Sequence, residues 1–256
     1  MSIAPARMEL AKLALPDPLV ALVAPDIGME RVARRGTFAL PFTIAMTCAL
    51  LAGGAAALRV NAKDSTLQQL ERKDPAKADE GDRLKTMSDK QVADAQKSNE
   101  RGFEVKRVAL SVVEVPLAFG LSLLGLVILS WFLRGKLKST ALFAVCGVSL
   151  LPGAIANVLD AIAALRHEMV PPSVLQHLSP RSATDFAAAL GHPLTGPLGL
   201  LGSALDLYSL WGAVLLGFGL AAAAGLPVRR ALPAALFAWA LWRLVIHVAI
   251  LSHLGG

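Results

Sequence analysis

The stretch from Val108 to Leu133 reads VALSVVEVPLAFGLSLLGLVILSWFL. It holds a single ionisable residue, Glu114, and is closed by Arg134. A helix needs about 20 residues to cross the roughly 30 Å hydrocarbon core of a bilayer. Hydrocarbon offers the backbone no hydrogen-bonding partner, so such a run must be helical. Four more runs of this kind lie on either side: Thr37–Leu58, Thr140–Leu165, Leu205–Gly225 and Ala231–Leu251. Each is bracketed by charge or proline and is long enough to span. The expected fold is all-α, a polytopic membrane helical bundle with five transmembrane helices.

Composition agrees with that class. Hydrophobic residues make up 55% of the 256-residue chain and charged residues 17%, against about 25% charged in soluble domains. Five spans and one long polar segment leave no room for a separate soluble catalytic domain. The net charge of +6 comes largely from basic residues beside spans. Membrane lipids with anionic headgroups, not nucleic acid, are the partners that pattern implies. Cys48 and Cys146 both fall inside spans and read as small hydrophobes, not as a disulfide.

Residues 1–36 read as a cytoplasmic N-terminal segment. Arg7–Leu15 can form one short helix, and Asp17-Pro18 permits a second from Pro18. Met8, Leu10, Leu13, Leu19, Leu22 and Val23 fit either an interfacial helix or a loosely ordered tail. Residues 37–256 form the five-helix transmembrane domain, with an inserted polar helical hairpin at 59–107. That insert carries 12 Lys/Arg and 10 Asp/Glu. Asp64 can cap a helix over Ser65–Lys73, which Pro75 and Gly81 break. Ser88 with Gln91 makes a capping box. The helix it starts meets no breaker stronger than Gly102 before Pro116, so it runs toward the second span.

Charge sets the expected topology. Arg134–Ser139 has three Lys/Arg, and Leu226–Arg230 has Arg229 and Arg230; neither contains an acid. With Arg31, Arg34 and Arg35 they should face the cytoplasm. That puts the N-terminus in and the C-terminus out. The hairpin opposes this with more Lys/Arg than those segments together, but its acids nearly balance them. The proline-rich loop Arg166–Ala204 should hold short surface helices such as Ser182–Leu190.

Two patterns inside the spans stand out. Ala45, Ala49, Gly53 and Ala57 recur every fourth residue in the first span, and Ala213, Gly217, Ala221 and Gly225 in the fourth. Residues four apart share a face, and small ones let helix backbones approach in lipid. The second pattern is polar: Glu114, Asn157, Asp160, Asp206, Arg243 and His247. Ionisable groups in a bilayer are costly and mark functional candidates. At about 1.5 Å per residue, all the ionisable ones fall in the outer half of the bundle. Arg243 should pair with Asp160 or Asp206. The cluster reads either as an outward-facing pocket for a proton, a cation or a lipid headgroup, or as a structural ion pair with acids reaching interfacial water.

Motifs for chemistry are missing. His167-Glu168 starts a zinc-protease pattern, but Pro171 stands where its second histidine belongs. Nothing like a nucleophile elbow surrounds Ser203, so a Ser203–His247 pair is not supported. No catalytic residue, metal site or cofactor is expected, and the chain does not read as an enzyme.

The start of the fourth span, Asp206-Leu207-Tyr208-Ser209-Leu210-Trp211, is followed by Gly217 and Gly219. Then come Ala224-Gly225-Leu226-Pro227-Val228-Arg229-Arg230-Ala231, Trp239 and Trp242. With Leu151-Pro152 and the five-span plan, this resembles the bacterial branch of the Yip1-domain family over about Thr37–Leu251, its last 50 residues being the specific part. The resemblance implies five spans, N-terminus in and C-terminus out. Eukaryotic Yip1 proteins act in vesicle traffic and bind Rab-type GTPases and one another. Their N-terminal Asp-Leu-Tyr-Gly-Pro motif is absent from Met1–Gly36, so Rab binding does not carry over. The expected function is a non-enzymatic membrane-organising or partner-scaffolding role in a bacterial inner membrane. It would act as a homo-oligomer or with a membrane-protein partner. The alternative is a small transporter or channel using the polar cluster.

Overall fold

Prolines set the first two helices. Pro18 sits in the first turn of α1 (Asp17–Val23), and Pro25 opens α2 (Pro25–Arg35). Proline lacks the N–H that a first turn leaves unused. It also pushes the residue before it out of the helical region, and Ala24 accordingly sits at φ −131°, ψ 77°. The computed structural model describes residues 16–59, 89–166, 179–192 and 194–254. The expected helices at Arg7–Leu15 and Ser65–Lys73 lie outside the described residues.

The regular elements that follow are also α-helices. They are α3 (Ala39–Ala57), α4 (Asp89–Phe132), α5 (Ser139–Ser149), α6 (Leu151–Arg166), α7 (Ala183–Ala189), α8 (Gly196–Ala204), α9 (Leu207–Ala224) and α10 (Val228–Leu254). Among the described residues the only β-type pairing is an isolated bridge, Ser182 with Asp206.

Among the described residues, four helical stretches are long and apolar enough to cross a membrane: Ala39–Ala57, Ala93–Phe132, Ser139–Arg166 and Leu207–Ala224. The fifth expected run, Ala231–Leu251, falls inside the 27-residue α10, whose side chains beyond Val245 lie outside the described residues. The helix started near Ser88 does continue into the second apolar run, as one 44-residue helix, α4. At about 1.5 Å per residue such a helix exceeds twice the hydrocarbon thickness. Its flank exposes Leu117, Leu121, Leu124, Trp131 and Phe132. Apolar surface of that extent marks a face made for lipid or protein.

The third span is interrupted at Leu150, where α5 gives way to α6. Pro152 has no N–H for the Val148 carbonyl. The Leu150 N–H turns back to the Gly147 carbonyl at 3.3 Å, and the Ser149 hydroxyl donates to the Cys146 carbonyl at 2.8 Å. Cys146 is buried, Cys48 half-buried, and both thiols are free.

The chain divides into two compact units. One is Met1–Thr47, Val115–Ala156 and Pro180–Gly256; the other is Cys48–Glu114 and Asn157–Ser179. In the first, α9 packs on α10, α5 and α2, and α2 packs on α1 and α5. The core is Met29, Val32, Leu126, Val145, Cys146, Val148, Leu215 and Leu220. Glycine makes room for it. A Cβ at Gly219 would overlap Val145 and stand 2.8 Å from the Met29 terminal methyl. A Cβ at Gly28 would overlap the Ala21 backbone, so α1 and α2 touch main chain to main chain. The N-terminal segment from Asp17 onward is therefore a helical hairpin anchored by Met29, not a loose tail.

Two features tie that hairpin down. Asp17 is buried in the first turn of α1, with its carboxylate 2.9 Å from Arg35 and 3.9 Å from Arg31. α2 closes on Gly36 in the left-handed conformation, φ 69°, which glycine adopts without a side-chain penalty. Phe38 and Phe42 of the first span then join Phe119 and Phe143, with centroids 5.3–6.1 Å apart.

The two basic turns of this unit meet. The Lys136 and Lys138 N–H groups donate to the carbonyls of Ala224 and Ala223, at 3.2 and 3.3 Å. The last carbonyls of a helix have no partner within it; here the Arg134–Ser139 turn supplies one to each of these two.

In the second unit, Ala49, Ala52 and Ala56 are buried on α3. A Cβ on Gly53 would overlap the Ser111 hydroxyl of α4. That hydroxyl donates to the Arg107 carbonyl at 3.0 Å.

Candidate functional site

The first unit concentrates its polar contacts at the start of α9, the end remote from the basic turns. Asp206 is the N-cap of that helix. Its Oδ1 accepts from the backbone N–H groups of Tyr208 (2.9 Å) and Ser209 (3.1 Å), two of the donors a helix start leaves unpaired. Its Oδ2 accepts from Arg243 Nη2 at 3.0 Å. One turn back on α10, the Trp239 indole N–H donates to Ser209 Oγ at 3.2 Å. Ser209 Oγ–H in turn donates to the Asp206 carbonyl at 3.1 Å. Trp239 and Arg243 are four apart and so share a face.

A short stretch of the proline-rich loop completes the knot. The Ala183 and Leu207 N–H groups donate to the Leu205 and Arg181 carbonyls, each at 3.0 Å. α7 is capped by Ser182 and Asp185 in a reciprocal box, a local pattern legible in the sequence. The expected surface helix Ser182–Leu190 is this element, with those two residues as its caps.

Two of the polar residues read from the sequence belong to this knot. Asp206 and Arg243 are together. The His247 side chain lies outside the described residues. Glu114, Asn157 and Asp160 belong to the other unit. There Glu114 is exposed and Asn157 half-buried. Asp160 is 3% exposed; its Oδ1 accepts from the Ser179 N–H at 2.9 Å and from the Ser179 hydroxyl. Nothing in the spacing of Asp160 and Ser179 announces this, since 19 residues and three prolines part them or adjoin the contact.

The small-residue stripes also sort by structure. Ala45 and Ala49 are 2% exposed, Ala213 4% and Ala221 6%, and Ala57 is half-buried. A Cβ on Gly217 would stand 2.8–2.9 Å from Leu232, so α9 and α10 meet there. Gly225 is exposed and ends α9 at φ 65°; it serves as a helix cap.

Chemically, the knot is a clamp. Both oxygens of Asp206 are occupied, one by the helix start and one by the guanidinium. The Arg243 Nε–H is buried and meets no acceptor among the described residues. No three His, Cys, Asp or Glu side chains among them are grouped to hold a metal ion.

The sequence model of the Yip1 domain matches residues 20–250. No curated protein and no solved structure matches the chain.

Proposed function

The chain belongs to the Yip1-domain family, and on that premise we propose that it organises the membrane or scaffolds partners, without catalysis. It is an integral membrane protein of apolar helices. In this reading it crosses the bilayer five times, with α10 as the last crossing, the N-terminus inside and the C-terminus outside. The membrane is a bacterial inner membrane, and the protein works as a homo-oligomer or with another membrane protein. Residues 1–36 are the cytoplasmic segment, and 59–107 is a polar hairpin inserted in the domain 37–256.

The observation that carries the proposal is how the intramembrane polar groups are used. Asp206 caps α9 and holds Arg243, and Asp160 holds Ser179. The first joins two helices and the second ties a loop to α6, and such fixed positions are what a scaffold needs. The exposed apolar flank of α4 supplies surface for lipid or a partner helix.

Crosslinking in native membranes followed by pull-down tests it: a second copy or a defined membrane-protein partner should be captured. Proton flux into proteoliposomes under a pH gradient, lost on Asp160→Asn, would overturn it in favour of transport through the Glu114, Asn157, Asp160, Asp206, Arg243 and His247 set.

A further inference from the structure

At the end of the first unit that bears the two basic turns, a cavity of about 480 Å³ opens between α2, the start of α5 and the end of α9. Part of its lining is charged. Asp26, Glu30 and Arg34 lie along one face of α2, and Lys138 stands across from them at the start of α5. Glu30 and Arg34 are bonded to each other at 2.6 Å. Lys138 forms no ion pair among the described residues, and its backbone N–H is fixed on the Ala223 carbonyl at 3.3 Å. Phe218, Ala222 and Leu226 supply an apolar part of the same lining.

The charges sum to zero, two acids against two bases, and that arrangement selects among ligands. A simple anion at Lys138 faces Asp26 and Glu30. A simple cation at those carboxylates faces Lys138 and Arg34. A ligand carrying both charges a few ångströms apart meets an opposite charge at each end. The apolar part of the lining asks for an amphiphile. A primary ammonium offers three donors to the two carboxylates, which only accept. A trimethylammonium offers none and prefers an aromatic cage, whereas among the described residues this lining holds a single aromatic ring, Phe218.

We propose that this cavity binds the headgroup of an aminophospholipid of the phosphatidylethanolamine class. The phosphate sits on Lys138, the ammonium on Asp26 and Glu30, and the glycerol end points toward Phe218. The site needs this end of the bundle to lie in the headgroup region, and it is independent of any scaffolding role.

The test is native mass spectrometry of the full chain from nanodiscs containing phosphatidylethanolamine, phosphatidylglycerol and phosphatidylcholine in equal amounts. Wild type should retain phosphatidylethanolamine at least about tenfold over either competitor. Lys138→Gln, which changes an exposed side chain, should bring the ratio near unity, and so should Ala222→Leu, which adds bulk to the apolar lining. Equal retention of the three lipids in wild type would overturn the proposal, as would preference for phosphatidylglycerol or selectivity surviving in Lys138→Gln. Free phosphoethanolamine displacing the lipid fully at equal concentration would show a soluble zwitterion site and defeat the lipid assignment.

Discussion

Arg243 holds Asp206 across the α9–α10 junction at 3.0 Å, while the other oxygen of the same carboxylate caps α9. One side chain thus starts a helix and binds its neighbour. Asparagine caps a helix about as well as aspartate but carries no charge. Asp206→Asn should therefore lose only the ion pair, and Asp206→Ala should lose the pair and about 1 kcal/mol of capping. Thermal melting in detergent should rank wild type, Asp206→Asn, Asp206→Ala in falling order. The Asp206→Asn, Arg243→Gln double variant should be no worse than the sum of its singles, because both remove one interaction.

Gly53 and Gly54 are neighbours with opposite expectations. A Cβ at Gly53 overlaps Ser111, whereas at Gly54 nothing lies within 4 Å among the described residues. Gly53→Ala should destabilise by about 1–3 kcal/mol through overpacking. Gly54→Ala should be neutral or stabilise by up to about 1 kcal/mol from helix propensity. Chemical denaturation in mixed micelles separates them, and equal effects would show that α3 does not pack on α4 at Gly53.

The N-terminal hairpin depends on Gly28, whose Cβ would overlap the Ala21 backbone. Backbone cannot move aside as a side-chain tip can, so Gly28→Ala should separate α1 from α2. Hydrogen exchange should speed up across residues 17–35 and leave α9 protected. Asp17→Asn should do the same more weakly, since it removes the bond to Arg35 without forcing a clash.

Gly225 at φ 65° sets a further expectation. Alanine there pays a left-handed penalty of about 1–2 kcal/mol, and asparagine pays less. Gly225→Ala should lower the melting temperature, and Gly225→Asn should recover much of the loss.

These residues also show how far the sequence speaks. Long apolar runs announce helices because lipid permits no alternative, and the Ser182–Asp185 box announces α7 because its bonds are local. The four-residue stripe collects Gly225 along with Gly217, because a period cannot tell a packing glycine from one that ends the helix. The α1–α2 hairpin is harder to read. Its composition is only moderately apolar, and its hold on the core comes through Met29 and one buried acid, Asp17. The family match begins at residue 20, inside α1, and so takes in the end of α1 and all of α2 but not Asp17. Depth alone offers Arg243 either Asp160 or Asp206; Asp206 takes it, while Ser179 bonds Asp160 from across a proline-rich loop that periodicity does not describe.

The direct test of a five-crossing protein with its ends on opposite sides is a pair of compartment reporters, one fused after Gly256 and one inserted in the Arg134–Ser139 turn. The two should report opposite compartments, with the Arg134–Ser139 turn inside. Both reporting the same compartment would contradict the account.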